Sequence, residues 1–153
     1  RNGQYQAAEQ AYLHAIALNK RQYSAYNNLA QLYHRMGKHE LALSYKEQIE
    51  RIRRRNPYYY FGLASQAYRK GYYDAAIEHL AAAIRRKDDE HRFYHLLALN
   101  HQALNQLKQS LKNLRLALSY ANDKADRDIY QQMIADISNV SVSPYEAQNS
   151  ILY

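Results

Sequence analysis

The sequence predicts an all-α protein, a linear stack of helical hairpins, and three observations carry that prediction. The first is a period: Gly3, Gly37, Gly71 and Asn105 recur at a step of 34 residues, and these are residue types that tolerate the left-handed backbone of a tight helix-to-helix turn. The second is that packing positions keep the same step. Tyr26, Tyr60 and Tyr94, then Leu29, Leu63 and Leu97, then Ala30, Ala64 and Ala98 mark a first helix. Ala8, Ala42, Ala76 and Ser110, followed by Tyr12, Lys46, Leu80 and Leu114 and by Ala15, Ile49, Ala83 and Ala117, mark a second. The third is composition, since only 4 Gly and 2 Pro interrupt 153 residues rich in good helix formers, which favours long helices and short loops. One hairpin cannot bury its apolar stripe alone, so neighbours must cover one another and a polar-faced helix must close the stack.

In chain order, residues 4–20 read as the second helix of a truncated repeat, and the chain is expected to be a fragment of a larger protein. Full repeats follow at 23–56, 57–90 and 91–122, with helices at about 24–36, 39–55, 57–70, 73–87, 90–103 and 107–121. Asn56 before Pro57 suits a helix start, and Asp123 suits another. The helix it opens, 123–137, closes the stack with Ile129, Met133, Ile134 and Ile137 on one stripe and Lys124, Asp126, Arg127 and Asp128 facing away. Residues 138–143 lack helical period and read as a linker; Ser143-Pro144-Tyr145-Glu146 fits a capping box for a short tail helix within 138–153. The whole, 1–153, is expected to be a single domain.

Tyr26, Leu29, Ala30, Tyr33, Ala42 and Ile49 resemble the motif of the tetratricopeptide repeat family, over roughly residues 3–122. Ala67, His101 and Lys46 depart from its large apolar or aromatic residues, and its closing Pro is missing. The resemblance implies a right-handed superhelical solenoid with a C-terminal capping helix, working as a protein- or peptide-binding scaffold whose concave groove is lined by the first helix of each hairpin. The groove residues it implies are Asn27, Asn28, Gln31, His34 and Arg35 in the first full hairpin. In the second they are Phe61, Gly62, Ser65, Tyr68 and Arg69, and in the third Arg92, His95, Leu96, Leu99 and Gln102. Such a groove passes from polar to apolar and suits a ligand with one hydrogen-bonding end. The carboxylate clamp of one subgroup is incomplete, with Asn27 and Gln31 at the first pair of places and Arg92 and Leu96 at the last. The stretches Arg53–Tyr59 and Asp89–Phe93 also resemble, more weakly, repeat regions of bacterial transglutaminase-like multidomain proteins.

The formal net charge is +7, and two basic runs, Arg51–Arg55 and Arg85–Lys87, end successive second helices. Cations there complement the helix carbonyls; the alternative function is an RNA- or anionic-surface-binding solenoid using that edge, although no nucleic-acid module accompanies it. Self-association through the apolar tail (Tyr145, Ile151, Leu152 and Tyr153) or the unpaired first helix is a further expectation. No nucleophile elbow, phosphate loop or HExxH is present, so no catalytic residues and no cofactor are expected. His91 and His95, four apart, lack a third ligand at metal-binding spacing, so no metal is expected either. No transmembrane run occurs. Neither the absence of Cys nor a start at Arg1 decides the compartment.

Overall fold

The structure, a computed structural model, describes the backbone of residues 2–149 and the side chains of residues 3–140. Among the described residues it contains eight helices and no strand: α1 (Asn2–Leu18), α2 (Tyr23–Arg35), α3 (His39–Arg55), α4 (Pro57–Arg69), α5 (Tyr73–Ile84), α6 (His91–Ala103), α7 (Leu107–Tyr120) and α8 (Lys124–Asn149). None of these is long and apolar enough to cross a membrane.

Each hairpin turns on the same device. The Lys38 amide donates to the Tyr33 carbonyl at 2.9 Å and Gly37 to His34 at 3.1 Å; Tyr72 donates to Ala67 at 2.9 Å and Gly71 to Tyr68 at 3.0 Å; Gln106 donates to His101 at 2.7 Å and Asn105 to Gln102 at 2.9 Å. These six-to-one and five-to-two bonds satisfy the last helical carbonyls and require a left-handed residue between them. Gly37, Gly71 and Asn105 supply it, at φ 73°, 78° and 57°. Gly3, expected to be a fourth such turn, lies in the first turn of α1.

The chain, expected from sequence to be one domain, divides into two compact units, Arg1–Asn56 and Pro57–Tyr153. In the first, Leu29, Leu32, Tyr33 and Ala42 form a buried cluster on which Tyr5, Ala8, Tyr12 and Ile16 of α1 pack. The Tyr33 hydroxyl also donates to Glu9 Oε1 at 2.6 Å. Lys46 is exposed although its column elsewhere is apolar, because Tyr45 beside it carries the contact, its ring 6.2 Å from Tyr26 and 5.5 Å from Tyr33.

In the second unit one cluster (Ala64, Ala67, Ala76, Leu80, Ala83, Phe93 and Leu96) seals α4, α5 and α6, and another, centred on Leu114, Ala117 and Tyr130, seals α6, α7 and α8. Ala30, Ala64 and Ala98 have no exposure, which lets partner helices approach closely. The tyrosine column is covered by a residue 26 positions later: the Arg86 guanidinium lies 4.2 Å from the Tyr60 ring centroid, and Tyr120 stacks on Tyr94 at 5.5 Å.

Helix α8 departs from the sequence expectation twice. Its buried residues are Tyr130 and Ile137, while Ile129, expected on the packing stripe, is 51% exposed. The helix starts 33 residues after α6 and not 34, so the stripe moves by one position and Tyr130 takes the place of Leu97. The helix also runs on through 138–143, the expected linker. Ser138 turns its hydroxyl back onto the Ile134 carbonyl at 2.7 Å, an arrangement that lets serine continue a helix. Asp123 opens α8 as expected, its Oδ1 accepting the Ala125 amide at 2.6 Å. The Tyr145 side chain and residues 150–153, and with them the expected docking of the tail, lie outside the described residues.

Candidate functional site

On α2 the apolar residues Tyr26, Leu29, Ala30 and Tyr33 turn inward, and helical geometry therefore sends Asn27, Asn28, Gln31 and Arg35 to the opposite side, where all four are exposed. None of their side chains makes a hydrogen bond or ion pair within the described residues. His34 is the exception on that face, its ring packed edge-on to His39 at 5.1 Å. The stripe therefore presents three amides and one guanidinium ready for an external partner.

The predicted residues of the second unit are arranged differently. Phe61 lies against Phe93 at 5.2 Å, Ser65 donates to the Phe61 carbonyl at 2.9 Å, and Tyr68 lies against Tyr73 at 5.8 Å. Phe61, Tyr68 and Leu99 each border the first cluster of that unit. Arg69 and Gln102 are exposed. Gly62 is exposed, with nothing within 4 Å of where a Cβ would stand, whereas Leu96 is buried.

Arg92 is held internally. Its Nε and Nη2 donate to Glu90 Oε1 at 2.7 Å and Oε2 at 3.1 Å, the Tyr58 hydroxyl donates to the same Oε2 at 2.6 Å, and the guanidinium stands 5.5 Å from the Tyr58 ring centroid. Glu90 is only 8% exposed. The Arg92 hydrogen bonds hold its carboxyl at about 2 against the opposing effect of burial, and the Tyr58 hydrogen bond adds to the lowering. Tyr58 is correspondingly raised, chiefly by its bond to the carboxylate. His95 is half-buried, its ring 4.9 Å from that of Tyr130. Burial lowers its pKa, with Asp126 opposing and His91 adding to the effect. His91 Nδ1 lies 2.8 Å from the Tyr130 hydroxyl, and its Nε2 is 3.8 Å from both Glu90 Oε1 and Asp126 Oδ2. Among the described residues no three His, Asp or Glu side chains converge as metal ligands.

Sequence reasoning missed Glu90, Phe93 and Tyr130. A signal for the first did exist: Tyr58 and Arg92 are 34 apart and so stack in adjacent repeats, and a carboxylate just before α6 is well placed to reach both.

Two stretches of the chain, residues 11–44 and residues 91–124, match tetratricopeptide repeat models. The chain carries tetratricopeptide repeats. No curated protein matches it by sequence. Among solved structures, a MamA double mutant (RS-1 ArsTM) is similar with a TM-score of 0.54 and 15% identity, over 98% of this chain and 82% of that one. MamA 41-end from Desulfovibrio magneticus RS-1 gives 0.46 at 14% identity, over 95% and 90%. At such identities the likeness concerns the fold. Tetratricopeptide repeats are protein–protein interaction scaffolds, and the all-α hairpins described above are that architecture.

Proposed function

We propose that the chain binds an extended peptide segment of a partner protein without catalysing a reaction, and that the exposed face of α2 makes the principal contacts. One observation carries this reading. Asn27, Asn28, Gln31 and Arg35 are exposed and have no partner within the described residues, whereas Ser65, Arg92 and His95 in the second unit are already engaged by their neighbours. A peptide backbone offers alternating donors and acceptors that a ladder of amides can pair with, and polar groups with no internal partner lose nothing by turning to it. Within the second unit, taken by itself, Phe61, Tyr68 and Leu99 border one buried cluster and are candidates for an apolar contact of the kind that anchors a side chain, and the Cβ position of Gly62 is open.

The test is selection of peptides from a displayed random library with the full chain as bait, followed by affinity measurement on synthetic versions. Asn27→Ala with Gln31→Ala should weaken a selected peptide by about tenfold or more, in line with the loss of two hydrogen bonds. Affinity unchanged by the α2 pair would remove this assignment of the contact face.

A further inference from the structure

We propose that the first unit carries a docking surface for an anionic lipid bilayer, at the end where α1 finishes, α2 begins and α3 finishes. Residues 1–56 contain ten Lys and Arg against four Asp and Glu, so they hold +6 of the chain's +7. Five of those cations meet at one end. Lys20 and Arg21 occupy the turn from α1 to α2, and Arg53, Arg54 and Arg55 form the last turn of α3. The Asn56 Nδ2 group, 3.5 Å from the Tyr23 hydroxyl, brings the end of α3 against the start of α2 and hence beside that turn. Lys20, Arg21, Arg53, Arg54 and Arg55 are all exposed. Glu50 pairs with Arg53 at 2.9 Å, so the proposal leans on Lys20, Arg21 and Arg55.

Cations in the last turn of α3 have a local explanation in the helix dipole. That explanation does not extend to Leu18, which ends α1 two residues before Lys20 and is 76% exposed. An exposed apolar side chain at the helix end that adjoins Lys20 and Arg21 matches the chemistry of a bilayer surface, where the charges meet anionic headgroups and the aliphatic group enters the acyl boundary. The same position in the second unit provides an internal comparison. There Arg86 folds onto Tyr60 and the Ala82 carbonyl, Lys87 pairs with Asp89, and Asp88, Asp89 and Glu90 follow directly, so acidic residues adjoin the basic run although Arg85 is exposed. Nucleic acid fits this end less well, because its aromatic residue, Tyr23, is half-buried and bonded to Asn56 and offers no face for a base to stack on.

Sedimentation of the full chain with vesicles tests the proposal. Phosphatidylcholine vesicles containing about 30% phosphatidylserine should bind it at low salt and release it at about 0.5 M salt, while pure phosphatidylcholine vesicles should not bind it. Lys20→Glu, Arg21→Glu and Arg55→Glu together should weaken binding by about tenfold or more, and Leu18→Ser by about threefold or more with no change in charge. All four sites are exposed, and helical circular dichroism verifies that the variants fold. Lys108→Glu, Lys112→Glu and Arg115→Glu, exposed in the second unit, impose the same change in net charge and should leave binding nearly intact. Failure to bind anionic vesicles at low salt overturns the proposal. Equal loss from the second-unit triple variant does so too, as does indifference to Leu18→Ser combined with tight binding of a single-stranded oligonucleotide.

Discussion

Ser110 stands in a column that carries alanine at 42 and 76, and like them it is buried, with no exposure at all. Among the described residues its hydroxyl has no hydrogen-bond partner. A buried polar atom left unsatisfied loses its hydration without compensation, and alanine already occupies the equivalent space in two neighbouring repeats. Ser110→Ala should therefore stabilise the protein by about 1 kcal/mol, read as a raised midpoint in urea with an unchanged slope; a lowered midpoint would mean that the hydroxyl is satisfied after all. The column alone predicted that position 110 is buried. Whether the hydroxyl found a partner depends on residues of another helix, which a single-residue column does not encode. Arg92 illustrates the same limit from the other side: it stands at a place of the carboxylate clamp, but the carboxylate that takes it is Glu90 of the same chain.

At the scale of the element, the turns were the most legible part because their requirement is local. A six-to-one bond closing a helix leaves the residue inside it little choice but positive φ, and glycine or asparagine every 34 residues announces it. Gly71→Ala should destabilise by about 1 kcal/mol, since φ is +78° while open space surrounds the Cβ position, which leaves backbone strain as the whole effect. Gly62→Ala, inside α4 and equally open, should act oppositely and stabilise by roughly 0.5–1 kcal/mol. Thermal melts of the two variants side by side separate these effects, and a stabilised Gly71→Ala would contradict the account of the turns. Helix α8 was less legible for a physical reason. Its start slips by one residue against the period, so a stripe drawn through Ile129 misses Tyr130, and a Ser-rich run counted as a break stays helical, with Ser138 bonded back onto the Ile134 carbonyl.

At the scale of the whole molecule the two units divide the chemistry between them: the first carries most of the net charge, and the second carries His95 and Glu90, whose shifts make stability depend on pH below neutrality. His95 has a folded pKa below its ordinary 6.5 because burial disfavours the charged ring. Its contribution is therefore present in full above about pH 6.5 and is lost as pH falls below that value, when the proton binds more readily to the unfolded chain. Glu90 follows at lower pH. Its carboxyl, held at about 2 against an ordinary 4.5, stabilises the fold above about pH 4.5, and this is lost as pH falls toward 2 and the Arg92 and Tyr58 bonds lose their anion. Urea midpoints measured from pH 7.5 down to 2.5 should thus fall in two stages. His95→Phe, which keeps a ring against Tyr130, should flatten the upper stage. Glu90→Gln should lower stability by about 1–3 kcal/mol at pH 7 and flatten the lower one, since a neutral amide cannot hold the guanidinium as a carboxylate does. An upper stage that persists unchanged in His95→Phe would show that another group supplies the dependence, and the packing of α6 on α8 around Tyr130 would then have to be assigned without a buried neutral imidazole.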